Sequence, residues 1–144
     1  MVSIKKHFSL FCLLFLCGHL LAQQTDKVAL VENDGKMAIF SVSASAPDNS
    51  DVVPTAIRGL FEALINEGVE GFENGSPLMQ KENPKWKANF FKEKNPPYMT
   101  YVKGIQSEGE PRKNNVGAYQ TTVLIKINAD FLIRQLKAYG VMKS

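Results

Sequence analysis

Past residue 22 this chain contains no cysteine and no histidine: Cys12, Cys17, His7 and His19 all fall in the first 22 of its 144 residues. That absence excludes disulfide cross-links from the remaining 122 positions. It also excludes a Ser-His-Asp triad, a thiolate nucleophile and a tetrahedral Cys/His zinc site. Proton transfer near neutral pH loses its usual carrier, the imidazole. Carboxylate pairs, a lysine or tyrosine base, or an oxygen-ligand metal would remain, and each needs a placed constellation that the sequence does not display. No cofactor, metal ligand set or catalytic residue is implied, and the chain reads as a non-enzyme.

An excess of one charge is equally lacking. The chain has 17 Lys and Arg against 14 Asp and Glu, and Lys5 and Lys6 carry two of the cations, so 15 face 14 after residue 22. Net charge alone therefore makes no case for nucleic acid or an acidic polymer as partner. A chain of about 120 residues buries enough surface to fold without cross-links.

What is present begins at the N-terminus. Lys5 and Lys6 precede an apolar run from Phe8 to Leu16, and Cys17-Gly18-His19-Leu20-Leu21-Ala22 leads into polar Gln23-Gln24-Thr25-Asp26. This is the pattern of a signal peptide cleaved after Ala22. The run is shorter than the roughly 20 residues that span a bilayer. As a helix of the fold it would need a large apolar partner surface. Lipidation at Cys17 would want a small residue where Leu16 stands. The expectation is an exported, periplasmic or secreted protein whose residues 23–144 form one domain.

Along those residues the periodicity changes several times. Glu32-Asn33-Asp34-Gly35 is a hairpin signal, since both central turn residues must tolerate positive φ. It lacks the later bidentate glutamate of a calcium loop. From Lys36 to Ala46, Ala38, Phe40, Val42 and Ala44 share one face of a strand and Ser41, Ser43 and Ser45 the other. Asp51, Pro54 and Gly68 bound a helix whose Ile57, Leu60, Phe61, Leu64 and Ile65 form an apolar stripe, with Arg58 and Glu62 paired on its flank. Val69–Phe72 reads as a short strand, Asn74-Gly75-Ser76-Pro77 as a turn, and Lys85–Lys94 as a helix ended by Asn95-Pro96-Pro97. Strands are expected over Tyr98–Gln106 and Gly117–Ile127. Asn128 caps a last helix that stops at Gly140, with Phe131, Leu132, Leu136 and Tyr139 on its apolar side. The order predicts a single α+β domain: a mainly antiparallel sheet of about four strands with two helices on one face.

Two clusters invite a functional reading. Glu62, Glu67, Glu70 and Glu73 would supply the carboxylates of a small hydrolase if two of them faced one another across about 5–10 Å; as solvated charges near a helix end they would do nothing. The segment Lys85-Trp86-Lys87-Ala88-Asn89-Phe90-Phe91-Lys92-Glu93-Lys94 holds the only tryptophan. Lys85, Trp86, Lys87, Phe90, Phe91 and Lys92, extended by Tyr98 and Tyr101, would suit an anionic glycan, a single nucleic-acid strand or a peripheral membrane contact. Alternatively the rings fill the core while the lysines stay solvated.

Three stretches resemble a known family. Phe40 to Asn49 (FSVSASAPDN), Thr55 to Ile65 (TAIRGLFEALI) and Val123 to Ile127 (VLIKI) are similar to small bacterial envelope proteins of the LPP20 and FlgT N-terminal type. The likeness covers about half of the residues after the leader. It implies a strand of small residues running into a helix, a two-stranded return, no enzymatic activity, and a structural or assembly role in the cell envelope. The helix here has fewer alanines than that pattern, and no functional residue carries over. The expected partner is a protein or another envelope component.

Overall fold

The computed structural model describes residues 23–144, and the leader read over residues 1–22 lies outside the described residues. Five strands form one antiparallel sheet: β1 (Gln24–Asn33), β2 (Met37–Ala46), β3 (Val102–Ser107), β4 (Arg112–Lys113) and β5 (Tyr119–Asn128). Their order is β1-β2-β5-β3, with β4 beside β5 on the same edge as β3. Helix α1 (Val52–Glu62) continues into a π-helical turn, Ala63–Glu67; α2 spans Pro84–Phe90 and α3 spans Ala129–Ala138. The chain is therefore α+β; beside the two expected helices stands α2, the short helix read over Lys85–Lys94, and β4 adds a fifth strand to the four expected.

The β1–β2 hairpin turns where Asn-Asp-Gly predicts. Asp34 Oδ1 accepts from the Lys36 N–H at 2.9 Å and the Met37 N–H at 2.7 Å, and Gly35 takes φ 88°. Those backbone donors, Met37 foremost, hold the Asp34 carboxyl below its usual range. β2 then pairs with β5 over ten residues without a break. Ala38, Phe40, Val42 and Ala44 are buried on one side, facing Ile127, Ile125, Val123 and Thr121 of β5. The period-two alternation of both strands decides which face meets the helices.

Helix α1 lies across this apolar face, and its stripe of Ile57, Leu60, Phe61, Leu64 and Ile65 is buried throughout. Asp51 occupies the N-cap position but makes no side-chain cap bond; Asp48 instead caps the preceding turn by accepting from the Ser50 N–H. Gly68, at φ 88°, ends the helix with its N–H on the Ala63 carbonyl at 2.8 Å. In α3, Asn128 Oδ1 accepts from the Phe131 N–H at 3.0 Å, as its cap position predicts. Leu132 and Leu136 are buried, but Tyr139 is 61% exposed because it follows the last turn of the helix.

Other expectations change in the middle of the chain. Val69–Phe72 forms a single bridge rather than a strand. The Lys85–Lys94 helix ends at Phe90, where Phe91 leaves helical geometry at φ −104°, ψ 18°. The strand expected over Tyr98–Gln106 begins only at Val102; Pro97–Tyr101 is a tight 3-10 helical turn. Pro96-Pro97 fix φ for that turn, and its three-residue period puts Tyr98 and Tyr101 on one buried side.

Gly59 sets how closely α1 approaches β1: a methyl group there would collide with the Thr25 side chain. Helix propensity predicts that Gly59→Ala stabilises the chain by up to about 1 kcal/mol, whereas overpacking costs about 1–3 kcal/mol. The structure predicts the second sign. Chemical denaturation of Gly59→Ala should show a lower midpoint; an unchanged or higher one would mean that β1 does not seat against α1 at Thr25.

Candidate interaction surfaces

The aromatic–lysine segment divides into an inner and an outer side. Asn83 Oδ1 caps α2 on the Trp86 N–H at 3.1 Å, and Pro84 stands at the first helical turn. From there the rings turn inward. Trp86 stacks on Phe90 with centroids 4.6 Å apart; Phe90 meets Phe61 edge-on at 6.0 Å; Tyr98 stacks on Phe61 at 5.0 Å. Tyr101 rests against Phe131 at 5.5 Å. Phe90, Tyr98 and Tyr101 are core residues, and Trp86 and Phe91 are half-buried against that core. The exposed aromatic patch that Tyr98 and Tyr101 would have extended does not form, because those two rings and Phe90 bury together. Lys85 and Lys92 remain exposed, and Lys87 is half-buried.

Arg58 joins α1 to this segment. Its Nε donates to Glu62 Oε1 at 2.8 Å, its Nη1 donates to the Phe91 carbonyl at 3.1 Å, and the guanidinium lies 5.6 Å from the Phe91 ring centre. The Arg58–Glu62 pair is legible from its spacing of four. The reach to Phe91, 33 positions away, is not. The ion pair is 43% and 47% exposed, so it contributes only a few tenths of a kcal/mol. Its geometric role, fixing where α2 ends, is larger than its energy.

Beside Arg58, between β1 and α1, a cleft of about 410 Å³ is lined by Thr25, Asp26, Thr55, Glu62, Glu67 and Gly68 among others. Its charges are largely engaged. Glu62 holds Arg58, and Asp26 accepts from the Gln24 side chain at 2.6 Å and the Gln120 side chain at 3.4 Å. Glu67, Glu70 and Glu73 are exposed, so this carboxylate group is a set of solvated charges around one engaged glutamate. No cluster of three or more acidic, His or Cys side chains among the described residues is placed to hold a metal ion.

The third surface was not singled out by sequence. The helices cover one face of the sheet, and on the opposite face β2 carries short serines, of which Ser45, near its end, is buried. Ser41 and Ser43 of β2 are half-exposed, and Ser41 faces Leu124 while Ser43 faces Thr122 of β5. Ala29 of β1 and Ile39 of β2 continue this face, and Leu124 with Ile39, Gly104 and Lys126 lines a shallow depression of about 250 Å³. It ends at the β3 edge, where Gln106 stands opposite Leu124 on this face; Ile105, opposite Ile125, belongs to the helix-covered side. The signal lay in the serine side of β2, which by itself reads only as the outer side of a strand.

No family model matches the chain, and no curated protein or solved structure is similar enough to it to bring a function with it.

Burial pushes the phenol groups of Tyr98 and Tyr101 above their usual value of 10; around Tyr98 the Arg58 charge works against that shift, and Glu62 works with it. A raised phenol stabilises the fold fully below pH about 10, and that stability is lost as pH rises through the folded value. Absorbance titration should show tyrosines ionising above 10, together with alkaline loss of structure, and Tyr98→Phe with Tyr101→Phe should remove this late component. A late component that does not depend on Tyr98 and Tyr101 would contradict the aromatic packing.

Proposed function

We propose that this chain is a non-enzymatic, exported interaction module that acts on a protein or another component of the cell envelope, and that its contact face is the uncovered side of the sheet. The observation that carries the reading is the one-sided burial of β2. Val42 and Ala44 are sealed under α1, while Ser41 and Ser43 on the reverse stay half-exposed.

Short side chains across a sheet let a partner approach the backbone closely. The Ile39–Leu124 depression gives such a partner apolar contacts. The free β3 edge adds unpaired backbone groups that an extended segment would satisfy. The charged groups on this face include Lys27 opposite Ser43, and Lys126 and Glu32, which flank Ile39 on β5 and β1. Export is supported by the leader pattern over residues 1–22, and a non-catalytic role by the lack of His and Cys beyond it. The resemblance to LPP20 and FlgT N-terminal-type envelope proteins points the same way.

Two measurements test this. N-terminal sequencing of the protein recovered from the envelope or medium should begin at Gln23; an intact leader on cytoplasmic protein would contradict export. A photo-reactive residue at Ser43 should give a discrete protein adduct in the producing cell, and one at Asn89 on α2 should not. Failure of Ser43 to yield any adduct, with Asn89 yielding one, would move the partner to the helical side.

A further inference from the structure

The inward turn of the α2 rings leaves an outward stripe made of different residues. Lys85, Ala88 and Asn89 are spaced i, i+3, i+4 on the outer side of α2 and are exposed, and exposed Lys92 follows just past the end of the helix, while Trp86, Phe90 and Phe91 point toward the core. Exposed Lys94 follows directly. Between residues 85 and 94 there are four lysines and one acid, Glu93, in a chain that is otherwise close to charge balance. The ion pairs among the described residues are Arg58–Glu62 and Arg134–Asp130, so none of these lysines is in one. The stripe is bare, cationic and low, with Ala88 and Asn89 as short residues between two long lysines.

We propose that this stripe, Lys85–Ala88–Asn89–Lys92 with Lys94, is a docking surface for the anionic headgroup layer of a membrane, held by charge and not by inserted rings. Charge complementarity carries the choice of occupant. A single nucleic-acid strand is held by stacking of its bases on exposed rings as well as by charge. Here the rings that would serve, Phe90, Tyr98 and Tyr101, are buried, and Trp86 is already stacked on Phe90. The exposed ammonium groups of Lys85, Lys92 and Lys94 instead complement a layer of phosphates. The proposal rests on the envelope location argued above but uses a different surface from the sheet face.

The experiment is flotation of the purified chain with vesicles of phosphatidylcholine alone or with added phosphatidylglycerol, at about 0.05 M and about 0.5 M salt. Binding to the anionic vesicles at low salt, its loss at high salt, and none to the neutral vesicles are expected. Each lysine near an anionic surface contributes about fivefold in partitioning, so K85E/K92E should bind at least about 25-fold more weakly. K27E/K126E makes the same change in net charge on the sheet face and should bind far better than K85E/K92E. Both variants replace exposed residues, and circular dichroism would confirm their fold. Trp86 emission should barely move on binding. Retained binding by K85E/K92E, equal losses in both variants, a large blue shift of Trp86, or tighter retention on a soluble sulfated glycan than on the vesicles would each overturn the proposal. Vesicle binding is read outside the cell and is independent of cross-linking at Ser43, so the failure of one reading is distinguishable from the failure of the other.

Discussion

The pairing of β2 with β5 is the constraint on which the other contacts depend. It runs from Met37 opposite Asn128 to Ala46 opposite Tyr119 with no shift in register. A slip of one residue would exchange the two faces of a strand. It would carry Phe40 and Val42 into water and bring Ser41 and Ser43 under α1. Because the central pair is locked, its neighbours tolerate irregularity: β1 shifts register twice against β2, and β3 once against β5. Such bulges bend a strand and increase its local twist.

The apolar face fixed by that register then gathers the rest of the chain. Phe72, in the irregular stretch after α1, meets Phe40 edge-on at 5.3 Å. Leu78 and Met79 donate their N–H groups to the Leu64 and Ile65 carbonyls at the end of α1, which would otherwise lack partners. Gln80 and Lys81 both donate to the Val141 carbonyl, tying the same stretch to the segment after α3. A stretch without regular structure is thus fastened in its earlier part by the Phe72 ring and in its later part by four consecutive backbone donors. On the other side of α1, Arg58 and the Phe61–Phe90–Tyr98 stack hold α2 and the turn before β3. Both functional surfaces proposed here are what remains outside: the reverse of the sheet and the reverse of α2.

This division explains how much was legible in the residues. The hairpin at Asp34-Gly35, the alternation of β2 and β5, the stripe of α1 and the Asn128 cap are local patterns, and the structure bears them out. What eluded sequence reasoning depends on contacts between distant segments. Nothing in Val69–Glu82 repeats with a period, because Val69, Phe72 and Leu78 each enter the core singly. The segment Lys85–Lys94 left two readings open because its rings and lysines alternate in type without showing where the core lies. Burial of Phe90 beside Phe61 places the rings inward and leaves the cations as a separate outer feature. The open sheet face was hidden for a related reason: serines on one side of a strand do not tell whether a second layer covers them.

One-sided burial of the sheet is the claim from which the fold and the proposed contact face both follow. Since the chain from Gln23 onward has no cysteine, a single introduced thiol reports on its own position without background. The decisive measurement compares the labelling rates of Ser43→Cys and Ala44→Cys in the folded protein with their rates after denaturation. Ser43→Cys should react far faster than Ala44→Cys. Ala44→Cys, at a position with no exposed surface, should be slowed by orders of magnitude, to the rate at which the protein opens. Comparable rates at the two positions, or protection at 43 with reactivity at 44, would contradict the register of β2 and the free face with it.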